Sequence, residues 1–139
     1  MSFTSANNFQ VVADPSGVEE AKQWASAESI HLWVVDVQGV QSKGALLEAI
    51  GKGLSFPDYF GRNWDSLEEC LRDFDEGKGW MIVFDHADSL LSLPSQDLAT
   101  FGSILTEVSE FWRGEHRLFC VLFMGGPTLT DALSGALRR

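Results

Sequence analysis

Ile30-His31-Leu32-Trp33-Val34-Val35-Asp36-Val37 is the stretch whose reading decides the fold. It is nearly continuous in β-formers and ends at Gly39, the pattern of a strand covered on both faces. Two later runs repeat it: Trp80-Met81-Ile82-Val83-Phe84, and Leu118 to Met124, the latter stopped by Gly125-Gly126-Pro127. Between them the apolar spacing becomes helical. Leu46, Leu47, Ile50 and Leu54 predict a helix over 43–54, with Gly51 and Gly53 weakening its end. A second helix begins near Asn63, a good N-cap type. Its stripe of Trp64, Leu67, Leu71 and Phe74 runs to a stop at Asp75-Glu76-Gly77-Lys78-Gly79. Ala87 to Leu93 reads as a short helical turn before Pro94. Ser95 or Asp97 then caps a longer helix through Leu98, Phe101, Ile104, Leu105, Val108, Phe111 and Trp112.

The order β-α-loop-α-β-α-β predicts a parallel sheet with right-handed crossovers. Working outward, Phe9 to Val12 reads as an extra strand and Val18 to Ala27 as a helix. After Thr128, the residues Leu129, Ala132, Leu133 and Leu137 read as a helical tail. None of these pieces carries a chemical motif, so all are expected to be structural extensions.

The chain has 139 residues, 45% hydrophobic and 22% charged, with ten Phe, five Trp and one Tyr. That is one globular domain with a real core, not a disordered chain or a disulfide-dense miniprotein. The net charge of −10 repels nucleic acid and anionic lipid and favours a basic partner. No apolar run approaches the ~18 residues of a membrane span. The start, Met1 to Asn8, lacks the basic and apolar regions of a signal peptide, so the expected location is the cytoplasm. Cys70 and Cys120 sit within apolar patterns and are expected to be buried, reduced thiols.

Enzymatic templates fail one by one. Gly51-Lys52-Gly53 and Gly77-Lys78-Gly79 are too short for a phosphate-binding loop. There is no G-x-S-x-G elbow, and the scattered Cys and His lack metal-ligand spacing, so no metal or cofactor is expected. The pair Asp85-His86 ends a strand, but no nucleophile accompanies it in sequence. Its plain reading is a histidine with a local hydrogen bond, its alternative a small hydrolase.

The carboxylates of the second helix are more informative. Asp65 and Glu69 lie four residues apart, on the face opposite Trp64, Leu67 and Leu71, and both should point to solvent. Two structural readings stand beside a functional one. Acids in a first helical turn suit the helix dipole, and Arg72 can pair with Glu68 or Glu69. An acid/base pair for glycoside cleavage is disfavoured, since two exposed carboxylates lack a cleft. From Asp58 to Glu76 there are seven acids against Arg62 and Arg72, a net −5, which is half the chain's charge. Tyr59, Phe60 and Trp64 lie in the same segment. Aromatic anchors beside a dense acidic face suit docking to a cationic protein site.

The sixteen residues Phe56-Pro57-Asp58-Tyr59-Phe60-Gly61-Arg62-Asn63-Trp64-Asp65-Ser66-Leu67-Glu68-Glu69-Cys70-Leu71 resemble the signature of the barstar family, small intracellular inhibitors of secreted ribonucleases. The resemblance implies an α/β fold of three layers, a three-stranded parallel sheet packed with helices. It covers residues 30–124 of a single domain spanning 1–139, with extensions at 1–29 and 125–139. It implies a non-enzymatic, cytoplasmic, bacterial inhibitor, an antitoxin or immunity protein, whose partner is a basic extracellular-type ribonuclease. The alternative is a module of the same fold that binds another basic protein in regulation. By resemblance, Tyr59, Phe60, Gly61 and Asn63 contact the target from the loop. Asp65 sits at the rim of the target site, and Glu69 enters the phosphate-binding site in place of substrate phosphate. Glu110, on the third helix of the core, matches a further peripheral acid. Two departures bear on the target: Glu69 is one methylene longer than the family's central aspartate, roughly 1.5 Å, and Glu68 replaces an aromatic.

Overall fold

The computed structural model describes residues 9–14, 16–57, 60–74 and 77–137. The elements run β1 (Phe9–Val12), α1 (Gly17–Ala27), β2 (His31–Asp36), α2 (Lys43–Gly53), α3 (Trp64–Leu71) and β3 (Gly79–Asp85). A 3-10 turn (Ala87–Ser92), α4 (Ser95–Gly114), β4 (Leu118–Met124) and α5 (Pro127–Leu137) complete the chain.

Among the described residues the sheet has four strands, not the three that the resemblance implies, in the order β1-β4-β3-β2, and every pairing is parallel. The extra strand is β1, whose Phe9 to Val12 align with Val121 to Met124. Four residues of the N-terminal extension are therefore part of the sheet. β2 also departs from expectation. β3 and β4 are central and almost wholly buried, but β2 is an edge strand whose His31 and Asp36 are exposed and whose middle is half-buried. Its apolar composition reflects packing rather than full coverage.

The three expected layers are present. On one face, Val35, Ile82, Phe84, Val121 and Phe123 pack against α2, α3, α4 and α5. On the other, Met81, Val83, Cys120 and Leu122 pack against Ala21 and Ala25 of α1. The tail helix contributes Leu129 and Leu133, both buried; the side chain of Leu137 lies outside the described residues. Both cysteines are free and buried.

Two helix ends differ from expectation. α4 starts at Ser95 behind Pro94, so neither Ser95 nor Asp97 caps it: Ser95 is its first helical residue and Asp97 stands in its first turn. α3 stops at Leu71, before the expected glycines, and Phe74 leaves the helix. An aromatic cluster takes that side chain instead. It stacks on Trp33 (4.9 Å) and Trp112 (6.2 Å) and lies 5.1 Å from Trp80.

Candidate functional site

Asn63 nucleates the site. Its side chain accepts a hydrogen bond from Ser66 N–H at 2.8 Å, satisfying one of the donors that a helix start leaves orphaned. In return, the Ser66 hydroxyl accepts from Gly61 N–H at 3.2 Å. A Cβ on Gly61 would stand 2.9 Å from the Ser66 oxygen, so the loop closes this tightly only with glycine there. Arg62 carries the chain into the cap with a left-handed backbone (φ 51°).

Phe60 anchors the loop from the other side. Its ring seats against Gly51 of α2, where a Cβ would approach to 3.1 Å, and it meets Phe56 edge-on at 5.0 Å. Gly51, read from sequence as a weak point of the helix, is the seat of this aromatic. The neighbouring loop positions Asp58 and Tyr59 lie outside the described residues, as do Asp75 and Glu76.

α3 is amphipathic as expected. Leu67, Cys70 and Leu71 are buried, and Trp64 stacks on Phe101 of α4. Trp112 of α4 donates its indole N–H to the Leu71 carbonyl at 2.9 Å, fixing the end of the helix. Asp65 and Glu69 are both exposed on the outer face. Of the two partners open to Arg72, Glu68 takes it at 2.7 Å. The same guanidinium lies 5.0 Å over the Phe111 ring. Glu68 is therefore held against the protein, and Glu110, next to Phe111 on α4, is exposed. The sequence leaves Arg72 open to either Glu68 or Glu69; its seat over Phe111 is not legible there.

Asp65 and Glu69 stand differently toward the helix dipole. Only Asp65 lies in the first turn of α3, where the dipole favours an acid. Glu69 stands in the last turn of an eight-residue helix, where the dipole disfavours one. Among the described residues its carboxylate makes no ion pair and no hydrogen bond.

The other constellation, around His86, is built differently from its sequence reading. His86 has a left-handed backbone (φ 57°), and its Nδ1 lies 2.9 Å from Asp36 at the end of β2, across the sheet edge rather than within its own turn. That hydrogen bond, aided by the Asp85 charge, raises the histidine's pKa above its ordinary 6.5. The backbone N–H of Gln38 and the same histidine hold Asp36 below the ordinary 3.8. The depression beside His86 is open and is lined also by Glu19, Asp85, Asp88 and the Gly125-Gly126 turn. No serine, threonine or cysteine is among the described residues lining it.

A sequence profile of the barstar family, described as "Barstar (barnase inhibitor)", matches residues 30–124. The chain belongs to the barstar family. The barstar match begins just before β2 and ends with β4, leaving β1, α1 and α5 outside it. Comparison with curated proteins yields no significant match. Among solved structures, Cdc6p from Pyrobaculum aerophilum is similar, with a TM-score of 0.55 and 18% sequence identity over 94% of this chain and 36% of that one. At that identity the likeness is one of fold alone. The present chain corresponds to about a third of the Cdc6p length. Among the described residues, no helix is long and apolar enough to cross a membrane, and no cluster of His, Cys, Asp and Glu has the arrangement of a metal site.

Proposed function

We propose that this protein is a proteinaceous inhibitor of a basic ribonuclease, an antitoxin or immunity protein that acts in the bacterial cytoplasm and is not itself an enzyme. The observation that carries this reading is Glu69: an exposed carboxylate, without a partner among the described residues, at a helix position that the dipole disfavours, in a family described as a barnase inhibitor.

The mechanism follows from the face that bears it. A ribonuclease active site holds Arg, Lys and His groups placed for phosphate. A carboxylate presented on a rigid helix can occupy that position with charge-assisted hydrogen bonds. Glu69 is the group that enters, and Asp65, one turn earlier, meets the rim. Tyr59, Phe60, Gly61 and Asn63 form the adjoining contact. Glu68 contributes field rather than a direct ligand, because Arg72 already holds it. Glu110 extends the acidic rim from α4. The net −5 of residues 58–76 steers a cationic enzyme onto this face.

The longer reach of Glu69 and the loss of an aromatic at Glu68 favour a target other than the one that family aspartates fit. The test is RNA cleavage by barnase and a panel of basic microbial ribonucleases, with and without the protein. Stoichiometric inhibition of at least one enzyme is expected. A protein that binds a basic partner but protects RNA from none of them would instead support the regulatory-module reading.

A further inference from the structure

At the amino ends of β3 and β4, away from the carboxyl-end depression at His86, lies a cleft of about 460 Å³. Trp24, Ile30 and Leu118 give it an apolar lining. Lys78, Arg113, His116 and Arg117 border it, with Glu28 as the one acid. Three of the chain's ten Lys and Arg residues thus gather at one cleft of a molecule with a net charge of −10.

The ordinary explanation for a basic residue here is the dipole of α4, and it accounts for Arg113 in the last turn. It does not account for Lys78, which precedes β3. The helix end itself needs no such help. The carbonyls of Phe111, Trp112 and Arg113 accept backbone hydrogen bonds from Glu115, Arg117 and His116. Arg117 is also positioned in advance, its guanidinium 5.7 Å from the ring centres of both Trp80 and Trp112.

We propose that this cleft binds a small organic anion, its phosphate or carboxylate held by Lys78, Arg113, His116 and Arg117 and its apolar body laid against Trp24, Ile30 and Leu118. The volume suits a small molecule, and the mix of an apolar lining with a few convergent polar groups is that of a ligand pocket. Elsewhere the acidic surface repels such a ligand, which favours this cleft. The site is independent of the inhibitory face, and no residue is shared between the two.

The test is a two-dimensional NMR titration of the full chain with 1-naphthyl phosphate, 2-naphthoate, inorganic phosphate and uncharged 1-naphthol. Both aromatic anions should shift the Trp24 indole and the Arg117 and Leu118 amides saturably. Which of the two binds more tightly distinguishes a phosphate from a carboxylate ligand. Inorganic phosphate and naphthol should each bind at least about tenfold more weakly than the better anion. K78E should weaken binding without changing the melting temperature, and K78E/R113E should weaken it further. Absence of saturable shifts at these residues, or equal binding by K78E/R113E, overturns the proposal. Equal affinity for inorganic phosphate overturns its apolar half.

Discussion

His86 and Asp36 form a bond whose pH dependence has a definite sign. The histidine's pKa is raised, so its contribution to stability is full below about 6.5 and is lost as pH rises through the higher folded value. The aspartate's pKa is lowered, so its contribution is present above about 3.8 and is lost as pH falls through the lower folded value. Between those limits the pair ties the end of β2 to the end of β3. Substituting Asp36→Asn should bring the His86 pKa, read by NMR, back toward 6.5, with the Asp85 charge keeping a remainder. An unchanged value would contradict the assigned bond. The thiols behave differently. Burial pushes Cys120 up to about 12, and burial with the charges of Asp73 and Glu69 raises Cys70. Both should resist thiol reagents in the native state, and the melting temperature should be the same with and without reductant. A fall of many degrees on reduction would reveal a structural disulfide.

α3 is too short to be stable alone and depends on its cap and its packing. Replacing Asn63 with Ala removes the acceptor for Ser66 N–H and should cost about 1 kcal/mol in chemical denaturation. A cost near zero would mean that the cap is not made in solution. This element also shows what a sequence can disclose. Asn63 and the outward turn of Asp65 and Glu69 were legible, because capping chemistry and helical period are local. The seat of Phe60 on Gly51 was not, because it joins a loop to a helix turn that local pattern reads only as weak. The end of α3 was misread for a similar reason: Phe74 keeps helical spacing in sequence, yet the tryptophans of β2, β3 and α4 draw it out. The β2 edge was hidden because an apolar run does not state its place in a sheet. The fourth strand's partner was hidden because four residues carry no register.

Across the whole molecule, the N-terminal extension is integral to the sheet. β1 covers the β4 edge, and α1 covers Met81, Val83, Cys120 and Leu122. A chain beginning at Ser29 should lose its cooperative melting transition, because that apolar face would meet water. A truncated chain that melts like the intact one would show the extension to be dispensable. The acidic segment acts at the same scale, through its field. Association with a ribonuclease target should slow steeply as salt rises, while dissociation changes little. The most direct measurement compares D65A/E69A with the wild type in a ribonuclease inhibition assay at equal folded concentration. Stability should change by less than about 1 kcal/mol, because Asp65 gains only a dipole term and Glu69 opposes it. Inhibition should nonetheless collapse. Equal inhibition by the two proteins would leave this face as a solvated helix surface and contradict the account.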